Sequence, residues 1–164
     1  MCAKQISKNN KDYSILNPDK IKIACVISEW HNEITEKFFI GAQKKLIENG
    51  IVKENISKIY VPGSFELIFG CKNLINDGFD AVIAIGCIIQ GETRHFEFVS
   101  NAVVNGIKDL NIISDVPIIL CVSTDNTIDQ SNERSGGKYN KGEDSAIAAL
   151  KMITFNKWKS TSLS

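Results

Sequence analysis

Residues 81–95 read AVIAIGCIIQGETRH, and the fold turns on how that stretch is read. The apolar run Ala81 to Ile89 has no helical period and is too short for a core helix, so it is a strand buried on both faces. It stops at Gly91, and the polar set Glu92, Thr93, Arg94 and His95 follows at once. Phe98, Val99, Ala102, Val103, Ile107 and Leu110 then return at helical spacing. A buried strand therefore delivers polar groups and one imidazole to the mouth of a helix. Such a mouth can hold an anion on backbone N–H groups, and an imidazole can move a proton near neutral pH. With only 2 histidines in the chain, His95 carries unusual weight.

The same alternation extends to both sides. Ile21 to Ser28 reads as a strand, and Ile34, Phe38, Phe39, Ala42, Leu46 and Ile47 form the stripe of a helix over Asn32 to Asn49, ended by Asn49-Gly50. Lys58 to Val61 is a second strand, broken by Pro62-Gly63. Ser64 can cap a helix carrying Phe65, Ile68, Phe69 and Leu74. Asp77-Gly78 turns the chain into the central strand. Pro117 to Val122 is a fourth strand, and Thr127 and Gln130 have capping-box spacing at the start of a helix reaching Arg134. After a loop from Ser135 to Gly142, Ala146, Ile147, Leu150 and Ile153 mark a last helix.

Four strands alternating with helices imply right-handed crossovers and a parallel sheet between two helical layers, an α/β three-layer sandwich. The expected organisation is an arm over residues 1–20, one domain over 21–158 and a tail over 159–164. In such sheets ligands bind beyond the carboxyl ends of the strands. That rule selects four loops: Ser28 to Asn32, Pro62 to Glu66, Gln90 to His95, and Ser123 to Asn126.

Composition narrows the class. The chain has 164 residues, with 19 Lys plus Arg against 19 Asp plus Glu. That balance gives no argument for nucleic acid or an anionic membrane. No apolar run approaches the ~20 residues needed to span a bilayer, and the polar start Met1 to Lys11 does not read as a signal peptide. Cys2, Cys25, Cys71, Cys87 and Cys121 show no metal-ligand spacing. An odd number of thiols, three of them inside apolar strands, fits a reducing cytoplasm rather than a disulfide framework.

Each candidate group at the strand ends has two readings. Trp30 either covers the rim of the core or offers a flat platform to a planar ring. Glu66 either favours a helix dipole or binds a ligand. Gly91-Glu92-Thr93 is either an ordinary helix start or a phosphate cradle. His95 either packs or transfers protons. Arg134 sits where a cation suits a helix end, or reaches a phosphate bidentately. Lys141 is a solvated charge by default. Gly-x-Gly-x-x-Gly, Walker A and Gly-x-Ser-x-Gly patterns are all absent. The residues describe a pocket without a cofactor, for a planar polar molecule beside an anion.

Three motifs in order add a resemblance. Val61-Pro62-Gly63-Ser64-Phe65-Glu66-Leu67, Gly86 to Phe96, and Thr127-Ile128-Asp129-Gln130 through Glu133-Arg134-Ser135-Gly136 resemble the lumazine synthases, as does Asn140-Lys141-Gly142. The similarity runs from about Ile21 to Ile153. It implies flavodoxin-like topology and a condensation of 5-amino-6-(D-ribitylamino)uracil with 3,4-dihydroxy-2-butanone 4-phosphate to 6,7-dimethyl-8-ribityllumazine, the penultimate step of riboflavin biosynthesis. No cofactor is expected. By the same resemblance Trp30 stacks on the pyrimidine and Ser64, Phe65 and Glu66 take the ribityl side. Cys87, Ile88 and Ile89 offer backbone to the uracil edge, Glu92 and Thr93 lie under the phosphate, Arg134 neutralises it, and His95 moves protons. Lys141 and Leu120 complete the substrate-binding set. Family members form homopentamers with sites between subunits, some closing into a 60-subunit shell, with riboflavin synthase as a partner.

Three departures stand out. Leu120 replaces a Phe common in the family, weakening stacking to apolar contact. Gln90 replaces a frequent Arg, removing a charge near the phosphate loop. The segment from Gly136 to Gly142 is one residue shorter than usual, which bears on contacts between rings. Two other classes compete: a ring or shell protein that binds a flavin-like ligand without turnover, and a flavodoxin-like electron carrier. The first needs neither a proton-transfer nor a phosphate residue, and the second uses a Ser/Thr-rich phosphate loop that is missing here.

Overall fold

The chain lays down β1 (Ile23–Ser28), α1 (Asn32–Glu48), β2 (Ile56–Val61), α2 (Leu67–Leu74), β3 (Ala81–Ile89), α3 (His95–Ile113), β4 (Ile118–Asp125), α4 (Ile128–Ser135), β5 (Tyr139–Asn140) and α5 (Lys141–Ser162). The structure is a computed structural model describing residues 17–136 and 139–162, with side chains through Trp158. Most of the arm expected over residues 1–20 lies outside the described residues; its last part forms a short 3-10 turn, Pro18–Lys20. The four long strands form one parallel sheet in the order β2-β1-β3-β4. The α/β sandwich and its flavodoxin-like strand order are as the sequence implies.

Both faces of the sheet are covered. One layer packs Ile34, Phe38, Ala42 and Leu46 of α1 and Ala146, Leu150 and Ile153 of α5 on Ile23, Cys25, Ile27, Ile83 and Ile85. The other packs Leu67 and Cys71 of α2 and Val103, Ile107 and Leu110 of α3 on Ala24, Val26, Val82 and Ala84. This is why β1 and β3 read as continuous apolar runs: each successive side chain enters one of two dry layers. Each buried Ile or Leu is worth about 1.5–3 kcal/mol. Close approach of α1 and α5 depends on Gly142, where a Cβ would collide with the Phe38 carbonyl. Among the described residues no helix is long and apolar enough to cross a membrane.

Local expectations meet three corrections. Ser64 is not a side-chain cap: α2 starts at Leu67 with no capping bond from its side chains, and the Ser64 hydroxyl instead donates to the Cys87 carbonyl at 3.5 Å. β4 continues past Val122 to Asp125, because its polar end is paired with β3 as far as Ile89↔Asp125. The loop from Ser135 to Gly142 holds β5, bridged antiparallel to Ser135 and Gly136. Asn140 Oδ1 there accepts from the Gly142 N–H at 2.8 Å and caps α5. The expected box on α4 forms with a shift. The Thr127 hydroxyl accepts from the Gln130 N–H at 3.3 Å, while Gln130 Oε1 accepts from Asn126 at 2.9 Å. Helix α5 runs from Lys141 to Ser162, and residues 163–164 lie outside the described residues.

Candidate active site

The chain moves from β1 outward to β2, then returns across β1 to β3, so the connections diverge between β1 and β3. An open α/β sheet binds ligands above such a divergence. A cleft of about 700 Å³ lies there, lined from the loops after β1, β2 and β3 and the first turns of α3. That volume suits a small molecule.

Its first wall follows β1. His31 adopts a left-handed backbone, φ 55°, a conformation His tolerates better than most residues but at a cost of about 1 kcal/mol or more. The cost is offset by the start of α1: the His31 carbonyl accepts from Ile34 and Thr35 at 2.9 and 3.1 Å, and the Thr35 hydroxyl donates to the Ser28 carbonyl at 2.9 Å. The reversal turns Trp30 outward, 70% exposed, with the His31 ring edge-on at 6.5 Å. Both rings line the cleft.

The second wall follows β2. Gly86 lets α2 approach β3, since a Cβ there would stand 2.8 Å from Ser64 Oγ and 3.0 Å from Leu67 Cδ1. Ser64 thus settles on the β3 backbone while Phe65 and Glu66 face the cleft. The Glu66 carboxylate folds over Gly63, where a Cβ would meet Oε2 at 2.8 Å and Trp30 Cδ1 at 3.9 Å.

The floor is Cys87, Ile88 and Ile89, with Gly91, Thr93 and His95 closing the far side. His95 is the first residue of α3 and is exposed. Its N–H donates to the Thr93 hydroxyl at 3.3 Å, which ties the turn to the helix. The Cys87 thiol is buried, its pKa raised by burial, and donates to Ser131 at 3.4 Å. That side chain packs rather than reacts.

Trp30, Ser64, Phe65, Glu66, Cys87, Ile88, Ile89, Thr93 and His95 are therefore brought together. Glu92, Leu120, Arg134 and Lys141 do not line the cleft. Glu92 is exposed on the turn, Leu120 packs in the α2/α3 layer, and Lys141 begins α5. Arg134, on α4, pairs with Asp125 at 3.0 Å. Among the described residues, no Lys or Arg lines the cleft. The sequence selected the loop that holds His31 without naming it as a site residue, and Phe98, Val99 and Ala102 were read only as marks of the third helix. Phe98 is 68% exposed at the cleft rim. The signal was there: at about 100° per residue, Phe98 stands roughly half a turn from Ile107.

A parallel α/β sheet with this cleft, an exposed aromatic platform and an imidazole at a helix mouth defines a protein with a small-molecule site at the strand ends. Comparison with known proteins makes the class specific. The family model for 6,7-dimethyl-8-ribityllumazine synthase matches residues 20–157. The 6,7-dimethyl-8-ribityllumazine synthase of Christiangramia forsetii is 53% identical over 147 residues, 88% of either chain. That of Flavobacterium johnsoniae is 48% identical over 91% of this chain and 79% of its own, and that of Bacteroides fragilis 45% over 82% and 96%. The chain belongs to the 6,7-dimethyl-8-ribityllumazine synthase family.

Proposed function

We propose that this chain condenses 5-amino-6-(D-ribitylamino)uracil with 3,4-dihydroxy-2-butanone 4-phosphate, forming 6,7-dimethyl-8-ribityllumazine and releasing one phosphate and two waters. The observation that carries the reading is a family match along nearly the whole fold whose cleft gathers Trp30, Ser64, Glu66 and His95. Trp30 stacks on the pyrimidine. Glu66 accepts hydroxyl bonds from the ribityl chain beside Ser64 and Phe65. The backbone of Cys87, Ile88 and Ile89 meets the uracil edge, and Glu92 and Thr93 form the turn under the phosphate.

The chemistry moves protons and no electrons to an acceptor. The 5-amino group adds to the ketone and water leaves to give an imine; phosphate departs as a proton is lost from carbon. The ribitylamino nitrogen then closes the ring with loss of the second water. His95 at the helix mouth takes and returns those protons, a role worth about 10²–10⁴ in rate. Holding two substrates in contact supplies much of the remainder.

Among the described residues no Lys or Arg lines the cleft, and Arg134 is not part of its lining. We read this as half of a site shared between subunits: Arg134, with Leu120 and Lys141, serves the neighbour's cleft. A homopentamer is the smallest closed ring for this arrangement in the family, and a 60-subunit shell its extension. Ile112 and Ile113, 73% and 74% exposed, together with Phe155 and Trp158, give apolar surface for such contacts. The protein works in the cytoplasm on this reading. Mixing the two substrates with the protein should produce the lumazine chromophore; no product above the spontaneous background removes the enzyme.

A further inference from the structure

The carboxyl end of β4 carries a buried acid that the reaction scheme leaves unused. The Asp125 side chain is fully buried, and a carboxylate is tolerated there only with partners. Both partners come from one face of α4. Arg134 Nη1 stands 3.0 Å from Oδ1, and the Ser131 hydroxyl donates to Oδ2 at 2.8 Å. Positions three apart on a helix share a face, so α4 offers the acid a hydroxyl and a guanidinium together. The backbone at Asp125 is fixed as well, its carbonyl accepting from the Gln90 N–H at 2.9 Å. Ser131 also receives the Cys87 thiol, linking the acid to the cleft floor.

The pair is unequal. The carboxylate is closed off from solvent, while the Arg134 side chain is 41% exposed. Oδ1 has no aligned hydrogen bond, so the 3.0 Å contact holds the guanidinium by charge rather than by a directed bond. A guanidinium carries five donors in one plane. With one edge drawn inward, another edge remains for a ligand.

We infer that Asp125 is a positioning residue for the reaction: it holds the Arg134 guanidinium at the surface with one edge turned outward, to meet the phosphate in the neighbouring subunit's cleft. This rests on the shared-site reading. The alternative, a carboxylate acting only through its charge, has the opposite sign. A negative group near an anion site repels the anion, so its removal would tighten binding.

Asp125→Asn keeps the shape and an acceptor for Ser131 but removes the charge that holds Arg134. In the assembled protein, KM for the phosphate substrate should rise roughly five- to tenfold, less than the loss of the charge-assisted contact itself, because the guanidinium is still present but no longer held. KM for the pyrimidine should stay within about twofold. Asp125→Asn added to Arg134→Ala should cost nothing further, because the two act through one group. A lowered phosphate KM, an equal rise in both KM values, or an additive loss in the double variant overturns the inference.

Titration with inorganic phosphate reads the same pair without turnover. Weaker binding in both single variants supports the positioning role. Weakening in Arg134→Ala alone, or in neither, overturns it. A wild-type protein that binds phosphate but forms no lumazine removes the proposed reaction, while the titration still decides the role of Asp125.

Discussion

Two crippled subunits should repair each other. His95→Ala strips the imidazole from the cleft, and Arg134→Ala strips a guanidinium that the same chain holds outside it. If each site combines the cleft of one subunit with Arg134 of the next, a variant of either kind damages every site in a uniform ring. A mixed ring is different. With equal amounts assembled at random, a given cleft keeps His95 about half the time and its neighbour keeps Arg134 about half the time. About one quarter of the sites are then complete. The parent variants bracket the signal. Loss of a general acid–base group costs about 10²–10⁴ at most, with a smaller loss where proximity survives. Loss of a charge-assisted phosphate contact of about 1.5–3 kcal/mol costs roughly ten- to 150-fold at low phosphate substrate. Neither parent should exceed about a tenth of wild-type activity under those conditions.

Co-expression with two affinity tags, followed by sequential capture, isolates assemblies that contain both variants. Lumazine formation by that fraction should reach about 25% of wild type per subunit. Activity equal to the mean of the two parents would refute the reasoning, because it would mean that no intact site is rebuilt across a subunit boundary.

Other expectations follow from the same geometry. In Gly86→Ala the new methyl would meet Ser64 Oγ at 2.8 Å, Leu67 Cδ1 at 3.0 Å and Val122 Cγ2 at 3.3 Å. Overpacking of that kind costs about 1–3 kcal/mol, so the melting midpoint should drop and KM for the pyrimidine should rise before that for the phosphate; unchanged values would show that α2 yields without moving Ser64. Light scattering should give about 91 kDa for a ring of five 18.2 kDa chains, or about twelve times more for a shell; an active monomer would defeat the shared site. Burial pushes the Cys71 thiol up to about 12 and the Cys121 thiol up to about 11, whereas unfolded thiols titrate near pH 8.5. Their contribution to stability is therefore intact below about pH 8.5 and falls by about 1.4 kcal/mol per pH unit for each thiol as pH rises toward the folded values. Urea unfolding at pH 8 and pH 10 measures this, and an equal slope in Cys121→Ala would assign the alkaline loss to other groups.

What could be read from the chain, and what could not, divides along a physical line. The strand β3 was legible to the residue because burial on both faces leaves a compositional mark that needs no knowledge of its neighbours. The cleft loops after β1, β2 and β3 were legible because ligand sites in parallel sheets follow strand ends. Ser64 misled because a hydroxyl before an apolar stripe has a local use as a cap, and its actual partner, the Cys87 carbonyl, is reached only through the space that Gly86 leaves. The end of β4 misled for a related reason. Ser123, Thr124 and Asp125 look like loop residues, yet Asp125 is buried because Ser131 and Arg134 arrive from α4. Polar residues that satisfy one another across elements carry no periodic signal. The same limit governs Arg134 itself. Its chemistry is visible in its type, and its distance from the cleft only in the fold. On the proposed reading of a site shared between subunits, the lack of Lys and Arg among the described residues lining the cleft and the place of Arg134 beside Asp125 become one argument about assembly: the guanidinium would serve a second copy of the chain.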